Sequence, residues 1–126
     1  MQKFIIILAT LTMVFLIVSC SETKTEQDYY LLANEQYGKE AYADAIENFK
    51  LILEKFPEGE TTAKSTFMLG FIYANSLENL NEAKKYYTLF IEKYPEDDLA
   101  DDAQYELNNL GQNVNDLPIF KEMKVE

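Results

Sequence analysis

Apolar residues recur at helical spacing in two long segments of the chain. In residues 42–56 and 80–94 they stand three and four positions apart, which places them on one face of a helix. Pro57 and Pro95 follow these segments and predict where both helices end, because the residue before a proline is disfavoured in the α region. The whole pattern predicts an all-α fold of five helices, at 26–39, 41–56, 60–76, 79–94 and 97–110, with Gly111 ending the last one.

The two segments are copies of an internal repeat. Pro57 and Pro95 stand 38 residues apart, and aligning them places Ala45 on Ala83 and an aromatic residue, Phe49, on another, Tyr87. A small residue allows two helices to cross closely, and the aromatic ring fills the space beside the crossing. Because one such unit cannot bury its apolar face alone, we expect antiparallel helix pairs that stack into a solenoid.

This arrangement resembles the tetratricopeptide repeat (TPR). The matching positions are Ala45, Phe49 and Pro57, then Ala83, Tyr87 and Pro95, and in a first helix Leu69, Gly70 and Tyr73. The period of 38 exceeds the usual 34 of the family, and the loop between Tyr73 and Ala83 is one residue longer. Such longer, proline-closed repeats are similar to those of outer-membrane lipoproteins of the BamD type. Over residues 26–111 the resemblance implies about two and a half repeats.

The N-terminus has the features of a lipoprotein leader. Lys3 precedes a 15-residue stretch, from Phe4 to Val18, that is apolar except for two threonines and is shorter than the roughly 20 residues that span a bilayer. The sequence Ile17-Val18-Ser19-Cys20 then resembles the lipobox of bacterial lipoproteins. That resemblance implies cleavage before Cys20 and acylation there, and two or three acyl chains anchor a protein stably. The alternative is an uncleaved N-terminal anchor helix in which this cysteine is buried.

These features divide the chain into four parts: a signal peptide at 1–19, lipidated Cys20 with a polar tether to 28, a TPR-like domain at 29–111, and a C-terminal tail at 112–126. Ser21, rather than aspartate, follows the cysteine. By resemblance to the sorting rule of Gram-negative lipoproteins, this implies the outer membrane. We expect the periplasmic face, with export to the cell surface as the alternative.

Composition argues against catalysis and against nucleic-acid binding. The chain lacks histidine, the commonest general base and metal ligand, and all 11 basic residues are lysines, so bidentate arginine contacts to phosphate are absent. Its net charge of −11 repels a phosphate backbone. The acidic residues between Glu96 and Glu106 read as a solvated helix face, since no calcium-binding loop surrounds them. We therefore expect no enzyme activity, no cofactor and no metal.

The TPR resemblance implies a partner groove lined by the first helix of each unit. Apart from two flanking polar residues, Gln27 and Asp102, the matching positions are Tyr30, Asn34, Tyr37, Lys64, Phe67, Phe71, Asn75, Tyr105 and Asn109. Aromatic and amide side chains suit an extended peptide or a partner helix. The alternative is that the aromatic members only pack the core. With Lys64 as the single basic member, capture of an acidic C-terminus is not supported.

Two functional hypotheses follow. The first is a lipid-anchored scaffold or adaptor that binds other envelope proteins, for example in outer-membrane assembly. The second is a self-associating structural lipoprotein without a peptide groove. The fifth predicted helix has no partner in its repeat, and either the tail at 113–124 or a second copy of the chain would have to cover it.

Overall fold

The computed structural model describes residues 23–112, so the predictions for the leader, Cys20 and the tail from 113 onward lie outside the described residues. These residues form five helices and no strand, which confirms the all-α prediction. The helices are α1 (Glu26–Gly38), α2 (Tyr42–Lys55), α3 (Thr62–Asn75), α4 (Leu80–Lys93) and α5 (Ala100–Asn109).

Helix α1 begins at Glu26, where the helix prediction placed its start, and thus includes residues 26–28, which the division into parts assigned to the tether. Thr25 caps the helix: its side-chain oxygen accepts a hydrogen bond from the backbone N–H of Asp28, whose carboxylate in turn accepts from the backbone N–H of Thr25. This reciprocal pair satisfies two of the amides that a helix start leaves unpaired. The polar residues 26–28 are therefore the first turn of α1.

Helices α2 and α4 end one residue before the predicted limits, because the residue before each proline leaves the α region, as expected. Phe56 and Tyr94, which precede the two prolines, have φ near −130° and positive ψ, outside the α region. Their backbone N–H groups still bond to the carbonyls of Ile52 (2.9 Å) and Phe90 (2.8 Å), which closes the last turn. Helices α3 and α5 begin two and three residues later than predicted, since turns occupy the residues that follow each proline.

The helices pack as two hairpins, α1 with α2 and α3 with α4, and α5 lies against α4. Ala45 and Ala83 are completely buried, as are the aromatic rings of Phe49 and Tyr87 that the repeat pairs with them. In the second hairpin Gly70 permits the closest approach, because a Cβ there would lie 2.8 Å from the Tyr87 ring. The alternation of small and large residues thus sets the distance between helices.

Two clusters of buried residues form a continuous core. One lies in the first hairpin and its contact with α3, and the other joins α3, α4 and α5. Tyr73 on α3 packs against both clusters, and its ring stacks on that of Tyr86 with centroids 5.8 Å apart and planes inclined by 7°. Stacking between the units supplies the burial that neither hairpin achieves by itself.

Helix α5 ends at Asn109, one residue before the predicted limit, because Leu110 with ψ 123° has already left the α region, and Gly111 lies in the turn that follows. Gly111 has φ +76°, a conformation that costs little only for glycine, and Gln112 N–H bonds to the carbonyl of Asn109 at 3.0 Å. None of the helices within residues 23–112 has both the length and the apolar character needed to cross a membrane.

Candidate interaction surface

Helices α1, α3 and α5 contribute to one face of the domain. The ring of Tyr37 on α1 meets that of Phe71 on α3 edge to face, with centroids 6.4 Å apart. Asn75 on α3 and Tyr105 on α5 line a common cavity. The fold therefore gathers residues of the predicted groove from three separate helices onto adjoining surface.

Three aromatic residues occupy equivalent places on this face. Tyr30, Phe67 and Tyr105 are each the fifth or sixth residue of their helix. Tyr30 packs edge to face on Phe49 at 6.1 Å, and Phe67 contacts the rings of Tyr87 and Phe90 at 5.6 and 5.7 Å.

Exposure separates these three residues. Tyr30 and Phe67 are half-buried, whereas Tyr105 keeps 57% of its surface exposed. Phe71 is also half-buried. Phe67 and Phe71 are therefore partly core residues, as the packing alternative expected, while each keeps some surface accessible.

Asparagines form a second set on the same three helices. Asn34, Asn75 and Asn109 each donate their Nδ2 to the carbonyl four residues earlier in the same helix, at 2.7, 3.1 and 2.7 Å. This bond uses only the amino group of each amide. The carbonyl Oδ1 accepts no hydrogen bond from residues 23–112 and is available as an acceptor.

This face contains a cavity of about 710 Å³ between the C-terminal halves of α3 and α5 and the start of α4. Its walls include three predicted groove residues and two carboxylates. The principal lining residues are Asn75, Glu78, Leu80, Tyr105, Glu106 and Asn109. Leu80 is 42% exposed, so apolar side chains are open to solvent here. The cavity thus combines apolar surface, amide acceptors and negative charge.

Charge on the rest of the face is sparse. Lys64 is exposed near the start of α3, and both flanking polar residues, Gln27 and Asp102, are exposed as well. In the part of the chain that the structure describes, no group of three or more acidic or cysteine side chains is arranged to hold a metal ion.

Two clefts beside the N-terminus of the domain were not predicted from the sequence. Two clefts of about 540 and 470 Å³ flank the first hairpin and share Thr23, Lys24 and Tyr29 as lining residues. The ammonium groups of Lys24 and Lys55 lie 5.5 and 5.1 Å from the centre of the Tyr29 ring, and Lys55 also donates to the Tyr29 hydroxyl at 3.0 Å. That hydrogen bond raises the pKa of Lys55.

The half-buried carboxylate of Glu26 also joins α1 to the residues that precede α3. Glu26 accepts hydrogen bonds from the backbone N–H of Glu60 (3.2 Å) and from the N–H and hydroxyl of Thr61 (2.6 and 2.7 Å). Gly59 makes room for it, because a Cβ there would overlap the carboxylate. Burial would raise the pKa of Glu26, but the bonds from Thr61 and Glu60 outweigh burial and lower it. No local sequence pattern signals this contact between residues 35 positions apart.

The comparisons with known proteins identify the family. A family model described as YfiO, outer membrane lipoprotein, matches residues 22–115. The chain belongs to this family. The resemblance to BamD-type lipoproteins is therefore confirmed, and the family places the chain among outer membrane lipoproteins. No curated protein and no solved structure matches the chain significantly.

Proposed function

We propose that this protein is a non-enzymatic adaptor of the cell envelope. Its lipid anchor at Cys20 holds it on the periplasmic face of the outer membrane, and the face formed by α1, α3 and α5 binds a segment of another envelope protein. The observation that carries this proposal is the pair of residue sets on that face: Tyr30, Phe67 and Tyr105 at equivalent places, and asparagines with free acceptors on the same three helices. Membership of an outer membrane lipoprotein family supports the location.

The two sets of side chains suit an extended peptide. Backbone N–H groups of a peptide require acceptors, which the Oδ1 atoms of Asn34, Asn75 and Asn109 supply at intervals along the face. Aromatic rings provide apolar contact area at little cost in side-chain entropy. Because the chain carries a net charge of −11, the preferred partner segment is neutral or basic.

A pull-down from detergent-solubilised outer membranes tests the groove. The anchored protein is compared with the variant Asn75→Ala/Tyr105→Ala, because both residues are exposed and their loss leaves the core intact. The matched control is Leu31→Ala/Leu89→Ala, which removes exposed apolar side chains that line none of the three cavities. Loss of the same partner proteins from the groove variant alone would support the proposal. Equal capture by all three proteins would contradict it.

Self-association is the second candidate function. The exposed side chains of Tyr105 on α5 and Leu80 at the start of α4 favour it, since a second copy of the chain is one way to cover them. Mass measured by analytical ultracentrifugation over a range of concentrations distinguishes the two functions. A mass that rises with concentration and falls back in Tyr105→Ala supports self-association, and a constant monomeric mass excludes it.

A further inference from the structure

Within residues 23–112, the last helix lacks the cover that the repeat gives to its equivalents. Tyr30 on α1 is covered by Phe49 of the following helix, and Phe67 on α3 by Tyr87 of its following helix. Tyr105 stands at the same place on α5 and is 57% exposed. The cavity of about 710 Å³ beside it is the space that a following segment would fill.

The spacing of aromatic residues points to the segment that fills it. Phe49 lies 11 residues beyond the end of α1, and Tyr87 lies 12 residues beyond the end of α3. Phe120 lies 11 residues beyond the end of α5. Asp116, four residues before it, stands where the other units have Ala45 and Ala83, and Pro118 disfavours a helix in the register of the other units. The tail therefore shares with the units only the distance of the aromatic residue from the preceding helix.

Chain length and charge agree with this assignment. Gln112, the last described residue, itself lines the cavity, so the tail starts at the site. The 14 residues from 113 onward suffice for a turn followed by about 10 residues, which as a helix would match the roughly 15 Å length of α5. The cavity carries Glu78 and Glu106, and the tail carries lysines at 121 and 124 beside its apolar residues.

We infer that the chain's own C-terminal segment, residues 117–125, docks in the cavity between α3, α4 and α5 with Phe120 against Tyr105. The segment that occupies the cavity is thus part of the same chain.

Disulfide trapping tests this inference on the mature chain in detergent micelles. The variant Tyr105→Cys/Phe120→Cys is expected to form an intrachain disulfide on mild oxidation, identified by mass spectrometry, because docking brings the two Cβ atoms near the 3.5–4.5 Å that a disulfide requires. The matched control is Gln104→Cys/Phe120→Cys, in which Gln104 is exposed, adjacent in sequence and outside the cavity lining. Equal trapping of both pairs, or a disulfide between two chains, would overturn the inference.

Hydrogen exchange supplies a second test, in which the wild-type protein is the reference and keeps both Tyr105 and Phe120. Phe120→Ser is expected to speed exchange of the α5 amides by about ten-fold and to leave those of α1 unchanged. Glu122→Ser, a change in the same tail at a polar position, is expected to leave α5 unchanged. If Phe120→Ser leaves the α5 exchange rates as they are, the tail does not dock there.

Discussion

The hydroxyl of Tyr87 is buried, and within residues 23–112 it has no hydrogen-bond partner. The side chain is fully enclosed between α3 and α4, while the equivalent position of the first hairpin holds Phe49, also fully buried. An unpaired buried hydroxyl costs about 1–3 kcal/mol, because the group loses its hydrogen bonds to water on folding. Phenylalanine at position 87 would avoid this cost.

We therefore expect Tyr87→Phe to raise the free energy of unfolding by about 1 kcal/mol. The small void left by the oxygen, at about 24 cal/mol per Å³, subtracts only a few tenths of a kcal/mol. Urea unfolding followed by circular dichroism at neutral pH measures the change, and the slope against urea should stay constant. The matched control is Tyr29→Phe, which is expected to lower the free energy of unfolding, because that hydroxyl accepts a hydrogen bond from Lys55.

The alkaline limb of the stability curve provides a second check on the same residue. Burial, with a smaller contribution from Glu106, raises the pKa of the Tyr87 phenol well above its ordinary value of 10.0. The unfolded chain then loses this proton first, so stability falls as the pH rises above about 10. The stability of Tyr87→Phe should fall less steeply above this pH than that of the wild type. If Tyr87→Phe destabilises the protein or leaves the alkaline limb unchanged, the hydroxyl has a partner and the reasoning is refuted.

Three further predictions concern other parts of the chain. The pKa of Glu26 is lowered, so the stability that its carboxylate gives is present above about pH 4.5 and is lost as the pH falls further. Urea unfolding at neutral and at acid pH should show that Glu26→Gln is less stable than the wild type at neutral pH and loses less stability on acidification. Stabilities of the two proteins that change in parallel with pH would contradict this. Gly70→Ala should lower the free energy of unfolding by about 1–3 kcal/mol, because the added Cβ would lie 2.8 Å from the Tyr87 ring. In the control Gly38→Ala the added Cβ meets nothing within 4 Å, so this change should not destabilise the protein. Thermal unfolding compares the two variants. Cys20→Ser should move the protein from the membrane to the soluble fraction, and retention of acyl chains by mass spectrometry would contradict the lipidation proposal.

The helices could be predicted because their signals are local. Periodic apolar residues and the prolines at 57 and 95 locate α2 and α4 to within one residue. The TPR resemblance also assigned Tyr30, Phe67 and Tyr105 to one set of groove residues. Their different exposures could not be predicted, since exposure depends on which helix packs next to each residue.

Contacts between distant residues left no pattern in the sequence. Residue 26 was predicted as the start of the first helix, but only the fold shows that Glu26 reaches the amides of Glu60 and Thr61. The pairing of Tyr29 with Lys55 across the first hairpin was missed for the same reason. Side-chain hydrogen bonds of this kind depend on the angle at which two helices cross, which periodicity does not determine.

The bond network of Glu26 has a mechanical consequence. Any force that reaches the domain through the residues before Thr23 enters at the first turn of α1, the end nearest Cys20 in sequence. Without the Glu26 contact, tension there would peel α1 from the rest of the molecule one turn at a time. With it, three hydrogen bonds to the start of α3 share the load at once, so both hairpins resist the pull together. A protein held at one end and loaded by a partner at the other would be protected at the point where unravelling would start.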